Sequence, residues 1–328
     1  MKAILIAAAL SAAIVVPAAA DHGPGKDKGK GKADDRMPTV IELPQNFQPE
    51  GITTAKRHVF FVGSRTTGAI YRGSLRTGEG DILVEGGPDV AGDDRAATGL
   101  KVDRYGRLFV SGADSKHIRV YDARTGQQLR DFFAGDDAGF INDVIVTKRG
   151  AYLTDSNNPW LYFIPFGKRG ELGDLRRIPL GGDYTNDPGF NANGIEAARD
   201  GKSLVVVKSN TGELFEVDAA TGIADRIEVT GGDGELINAD GILLEGRKLS
   251  VVENRDDPDP VAAGVGVISV VKLGGNLSSG RIVATIHSAL FQVPTTIARS
   301  GGHNYVVNAK FGLPNPDGSF EVVKVPKR

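Results

Sequence analysis

The chain has 328 residues, no cysteine, and a formal net charge of -2 without any block of basic residues. A disulfide scaffold, a thiolate metal site and a cysteine nucleophile are therefore excluded, and nucleic acid is not an expected partner. Hydrophobic residues form 40% of the chain, enough for a sizeable core, yet apart from an N-terminal run too short to span a bilayer comfortably no stretch approaches the roughly 20 apolar residues of a membrane-spanning helix.

Met1 and Lys2 precede an unbroken small and apolar run over 3–16, and Pro17, Ala18, Ala19 and Ala20 offer a cleavage position before Asp21. Residues 1–20 read as a secretory signal peptide, with an uncleaved N-terminal anchor as the alternative. The mature protein is expected to be secreted or periplasmic, without a membrane span. Residues 21–38 read as a disordered linker, because 21–35 alternates Gly, Lys and Asp with no large apolar side chain to offset the entropy of ordering.

From residue 39 a short unit recurs: Glu50-Gly51-Ile52, Thr98-Gly99-Leu100, Asn142-Asp143-Val144, Asn193-Gly194-Ile195, Asp240-Gly241-Ile242 and Thr295-Thr296-Ile297. The spacing is that of a propeller blade. Each unit is followed by a second strand-like run (58–62, 107–111, 151–154, 203–208, 248–253, 304–308) and a third (69–74, 117–121, 160–165, 213–217, 266–271, 319–325). Val, Ile, Phe and Tyr dominate these runs, and turns such as Arg124-Thr125-Gly126 separate them. A fourth run closes the first five repeats (81–85, 128–133, 175–180, 225–229, 281–286). The sixth has none, while the strand 39–43 is left over at the other end. Its pairing there would complete an all-β, six-bladed β-propeller over 39–328, with four antiparallel strands per blade and closure by the N-terminal strand.

In a propeller the first strand of each blade lines the axis, so the leading column of the repeat projects toward a common point. That column is Glu50, Thr98, Asn142, Asn193, Asp240 and Thr295. Its two carboxylates and two amide oxygens suit one divalent cation, with Ca²⁺ preferred, Mn²⁺ or Mg²⁺ possible and Zn²⁺ left open. Asn-Gly and Asp-Gly are also common turn dipeptides, which accounts for each residue singly but not for their coincidence at one phase of the repeat.

Glu50-Gly51, Asn142-Asp143, Asn193-Gly194-Ile195 and Asp240-Gly241-Ile242, in this order and one blade apart, make the chain resemble the gluconolactonase, luciferin-regenerating-enzyme and senescence-marker-protein (regucalcin) family. The resemblance spans essentially 39–328 and implies a six-bladed fold with one catalytic divalent cation. It implies metal ligands at Glu50, Asn193 and Asp240, with Asn142 beside the metal or its substrate and Asp240 as general base. Many members hydrolyse lactones. Two residues before Asn142, where the sugar-lactone branch carries an arginine, this chain has Phe140, and the second strand of the fourth repeat ends Lys208-Ser209 instead of Asp-Ser. A more apolar lactone or ester is therefore the expected small-molecule substrate, with Thr98, Phe140, Asn142 and Thr295 as candidate contacts.

No G-x-S-x-G, H-E-x-x-H or phosphate-binding glycine loop is present. The histidines fall at scattered phases of the repeat, 256–259 reads as a solvated acidic turn, and Trp160 is expected to pack between blades. Two functions remain: an exported metal-dependent hydrolase of lactones or related esters, and a non-catalytic propeller that binds a ligand or protein on its top face around a structural metal.

Overall fold

The computed structural model describes residues 37–87, 95–232, 235–254 and 265–326. The signal peptide, nearly all of the linker and the 256–259 turn lie outside the described residues. Among those described, the fold is all-β, with two three-residue 3-10 turns at Lys56–His58 and Arg199–Gly201. Among the described residues no helix is long and apolar enough to cross a membrane.

The first strands of the repeats are Pro49–Thr54, Leu100–Val102, Ile141–Val146, Ala192–Ala198, Ala239–Glu245 and Pro294–Ser300. The first three each begin a four-stranded antiparallel meander. The last forms a fourth such sheet with His303–Asn308, Glu321–Lys324 and the N-terminal strand Val40–Glu42. In that sheet Val40, Ile41 and Glu42 lie opposite Val323, Val322 and Glu321, which is the expected closure.

The fourth and fifth repeats depart from the expectation of separate blades. Their two meanders share a nine-stranded sheet, joined where the outer strands Ile223–Thr230 and Ser279–Ile286 pair in parallel through Glu228, Val229 and Thr230 against Ser279, Gly280 and Arg281. Both strands have eight residues, longer than any other outer strand. Their overrunning ends meet and satisfy backbone groups that an open edge would expose. The extra strand is the pair Gly181–Gly182, parallel to Ile223 and Ala224.

Apolar side chains are buried between neighbouring sheets. Ile41, Phe60, Tyr71, Tyr305 and Val307 join the first and last repeats, and Val205, Val207, Leu249, Val251 and Val271 join the fourth and fifth. Trp160 packs half-buried against the cluster containing Phe109 and Leu153. Met37 belongs to the first of these clusters, and its sulfur accepts a hydrogen bond from the Tyr305 hydroxyl at 3.1 Å. The linker predicted to run to residue 38 thus ends before Met37, because that side chain has a core to enter.

Five of the first strands carry a register shift against their hairpin partner, and in each the shifted residues are the leading pair of the motif: 50–51, 142–143, 193–194, 240–241 and 295–296. A bulge lets the strand re-aim one side chain out of the ladder. It also brings neighbouring inner strands together in cyclic order. A Cβ at Gly51 would collide with the Thr98 carbonyl, one at Gly99 with Asp143, one at Gly194 with the Asp240 carbonyl and one at Gly241 with Thr296. Glycine at the second motif position of these four repeats is therefore required by the close approach of the next inner strand.

Candidate functional site

The bulges open onto a cavity of about 440 Å³ lined by Glu50, Asn142, Asn193 and Asp240. All four side chains are buried from bulk solvent. Phe140 lines the same cavity, with Phe190, Phe311 and Val293 completing an apolar wall and Arg65, Ser209, Asn238 and Asn254 adding polar groups. Thr98 and Thr295, expected as ligand contacts, are not among the residues lining this cavity. Both are fully buried outside the lining, and their hydroxyls stitch adjacent inner strands, Thr98 to the Asn142 carbonyl at 2.9 Å and Thr295 to the Glu50 carbonyl at 2.5 Å.

The orientation of each amide follows from proton counting. The Ser156 hydroxyl donates to the Ala192 carbonyl at 2.7 Å and the Ser209 hydroxyl to the Ala239 carbonyl at 2.6 Å. Each serine has one proton, so each accepts from an amide: Asn142 Nδ2 lies 2.9 Å from Ser156 Oγ, and Asn193 Nδ2 lies 2.9 Å from Ser209 Oγ. Both asparagines thereby keep their oxygens for the cavity. Asp240 Oδ2 accepts from Asn254 Nδ2 at 2.8 Å. Glu50 Oε2 and Asn254 Oδ1 are buried with no hydrogen-bond partner, an arrangement that costs free energy unless something fills it.

Burial pushes Glu50 well above the usual carboxylate range, and repulsion from Asp240 and Asp143 pushes it further while Arg65 opposes the shift. Asp240 rises to about 7, chiefly by burial, although hydrogen bonds from Asn254 and Asn193 favour its charged form. Below them Asp143 rises to about 6, again by burial, with Lys101 pulling the other way. Buried Glu50 and Asp240 and half-buried Asp143 repel one another, so an added cation would be stabilised there.

The cavity walls are fixed by the last residue of the second strand in four repeats. Asp155 accepts from the Gly139 amide at 2.9 Å, Glu253 from the Ile237 amide at 2.7 Å and Asn308 from the Gln292 amide at 3.0 Å. Lys208, fully buried, pairs with Asp187 and lies 3.7 Å from Glu213. These contacts anchor the loops that carry Phe140, Asn238, Val293 and Phe190 to the cavity. Lys208 is thus a loop anchor, and the residue after it, Ser209, orients Asn193.

The sequence signal that could have found Ser156, Ser209, Asn254 and Arg65 is their common place. Each directly follows a second strand, 14 to 16 residues beyond the motif residue of its repeat. The cavity lining contains no histidine. Among the described residues no three His, Cys, Asp or Glu side chains group as a metal site, so any cation here would use amide oxygens beside Glu50 and Asp240.

No protein-family profile and no curated protein sequence matches the chain. Solved structures with a similar fold include the major allergen Mala s 1 of Malassezia sympodialis, at 16% identity over 88% of this chain and 96% of that one, with a TM-score of 0.62. Virginiamycin B lyase from Staphylococcus aureus is similar at 10% identity over 88% and 99%, with a TM-score of 0.56. Hydrazine synthase of Kuenenia stuttgartiensis is similar at 14% identity over 92% and 90%, with a TM-score of 0.52. Identities this low establish a shared propeller-like fold.

Proposed function

We propose that the chain is an exported six-bladed β-propeller that hydrolyses lactones or related esters with one divalent cation, calcium foremost. The observation that carries this reading is the pairing of two buried carboxyls, Glu50 and Asp240, with two amide oxygens turned into one cavity by serines. The six-blade count takes the nine-stranded sheet as two meanders joined at their outer edges. Motif order resembling the gluconolactonase family supports the chemistry, the N-terminal 1–20 segment supports export, and one of the similar structures is named a lyase.

The donor set fits a hard cation: oxygen only, two ionisable carboxyls to neutralise it, and an orphaned Glu50 oxygen for it to satisfy. Glu50, Asn193 and Asp240 would hold the ion, with Asn142 beside it. When bound, such an ion supplies Lewis acidity toward a carbonyl oxygen and lowers the pKa of water. Asp240, ionised beside such an ion, would accept a proton from an attacking water and return it to the leaving alkoxide. The Asn142 oxygen, turned inward by Ser156, would lie beside the ion or accept a hydrogen bond from the attacking water. The phenylalanine wall excludes water from the acyl side and favours an apolar ester over a polyhydroxylated sugar lactone.

A screen of the purified protein against lactones and aryl esters, stripped of metal and refilled with Ca²⁺, Mn²⁺, Mg²⁺ or Zn²⁺, tests the reading. Turnover that is lost on chelation and restored by one of these ions is expected. Cation binding without turnover of any ester would replace it with a ligand-binding propeller holding a structural metal.

A further inference from the structure

We infer that Arg65 is the anion-binding arm of this cavity, and that the ligand is amphipathic, with an apolar body against the phenylalanine wall and one carboxylate on Arg65. The inference rests on the hydrolase reading for the statement that the ligand is an ester or lactone.

The hairpin position after the second strand carries Ser156, Ser209 and Asn254 in three repeats, each a neutral group that hydrogen-bonds to the motif residue of its own repeat. In the first repeat the same position carries Arg65, which lines the cavity. Its guanidinium lies over the rings of Phe140 and Phe311, 5.8 Å from each centroid. No described residue forms a hydrogen bond or ion pair with that guanidinium, Glu50 included. Two aromatic rings hold a planar cation by its faces and leave its N–H edges for a ligand, and that fork matches a carboxylate in two-point contact.

A divalent cation would neutralise Glu50 and Asp240, which frees Arg65 from its attraction to Glu50, while Lys101 is shared between Asp143 and Glu196, its ion-pair partner at 2.9 Å. Phe140 and Phe190 meet edge to face at 5.0 Å between centroids. Phe190 and Phe311 are 44% and 41% exposed, an apolar surface at the cavity that a small aromatic or alkyl body would cover.

The test is calorimetric titration of the full chain, calcium-saturated and then in chelator, with phenylacetate and with the neutral phenylacetamide. The parent is compared with Arg65→Met, which keeps an apolar stem between the rings, and Arg65→Lys, which keeps the charge without the fork. The parent is expected to prefer phenylacetate by about tenfold with calcium bound, Arg65→Met to lose that preference and Arg65→Lys to keep part of it. Equal affinity for the two probes in the parent would overturn the inference, as would a preference for phenylacetate that survives in Arg65→Met, since the carboxylate would then be held by something else. Melting temperature of each variant shows that it is folded. Because the readout is binding, absence of ester turnover would remove the hydrolase reading while the anion preference remains measurable.

Discussion

Ser209 acts on the site through Asn193: its proton is committed to the Ala239 carbonyl, and that commitment turns the Asn193 oxygen inward. Ser209→Ala removes one of the two acceptors, Ser209 and Asp240, that hold the amide nitrogen. The expected result is a roughly three- to tenfold loss of calcium affinity with a stability cost of about 1 kcal/mol, read by calorimetry and by denaturant midpoint. Unchanged affinity would separate Asn193 from the ion. Asp240 gives a pH signature of opposite sense to an ordinary surface carboxylate. Burial pushes its folded-state pKa up to about 7, well above the usual carboxylate range, so the folded protein holds a proton that the unfolded chain releases. Stability from this group is retained below about pH 4 and is lost as pH rises toward 7. In chelator, Asp240→Asn should therefore gain melting temperature relative to the parent across that interval and match it near pH 4. A parent more stable than the variant at pH 7 without metal would contradict the burial of a charged Asp240.

At the scale of the strand, the bulge is the unit that makes a site from a repeat. Gly194 shows why: a methyl group there would meet the Asp240 carbonyl and the amide of Ile242 on the next inner strand. Gly194→Ala is expected to cost about 1–3 kcal/mol by overpacking, and to weaken calcium binding because it separates Asn193 from Asp240. A denaturant midpoint within error of the parent would mean that the inner strands do not approach as closely as described. The motif column was legible in the sequence because the residue before each tight approach is the one re-aimed, so chemistry and packing repeat with the same period. The orienting residues were less legible. Arg65, Ser156, Ser209 and Asn254 share a hairpin offset but no chemistry, and only the pairing of first and second strands places them beside the motif. Thr98 and Thr295 share the motif's phase, yet a hydroxyl short enough to reach a backbone carbonyl serves the ring instead of the cavity. The joining of the fourth and fifth meanders was not legible, because it depends on where two long outer strands end in space.

For the whole molecule, closure rests on three residues of the N-terminal strand, of which Ile41 is buried at the junction of the first and last repeats. Ile41→Ala should cost about 2–5 kcal/mol, visible as a lower denaturant midpoint, and should speed unfolding by loosening the one sheet assembled from both ends of the domain. A cost below 1 kcal/mol would mean that the ring is held closed without that strand. Closure matters for chemistry because Glu50 and Asp240 come from repeats separated by most of the sequence, and a ring that opens pulls the carboxyls apart. The most direct test of the site follows turnover of an aryl ester during calcium titration of the parent, Glu50→Gln and Asp240→Asn. Calcium is expected to activate the parent, excess calcium to rescue Glu50→Gln in part by mass action, and Asp240→Asn to bind the ion more weakly and stay inactive at saturation. Equal rescue of the two variants would make Asp240 a ligand only, and a parent that neither binds calcium nor responds to it would contradict the site itself.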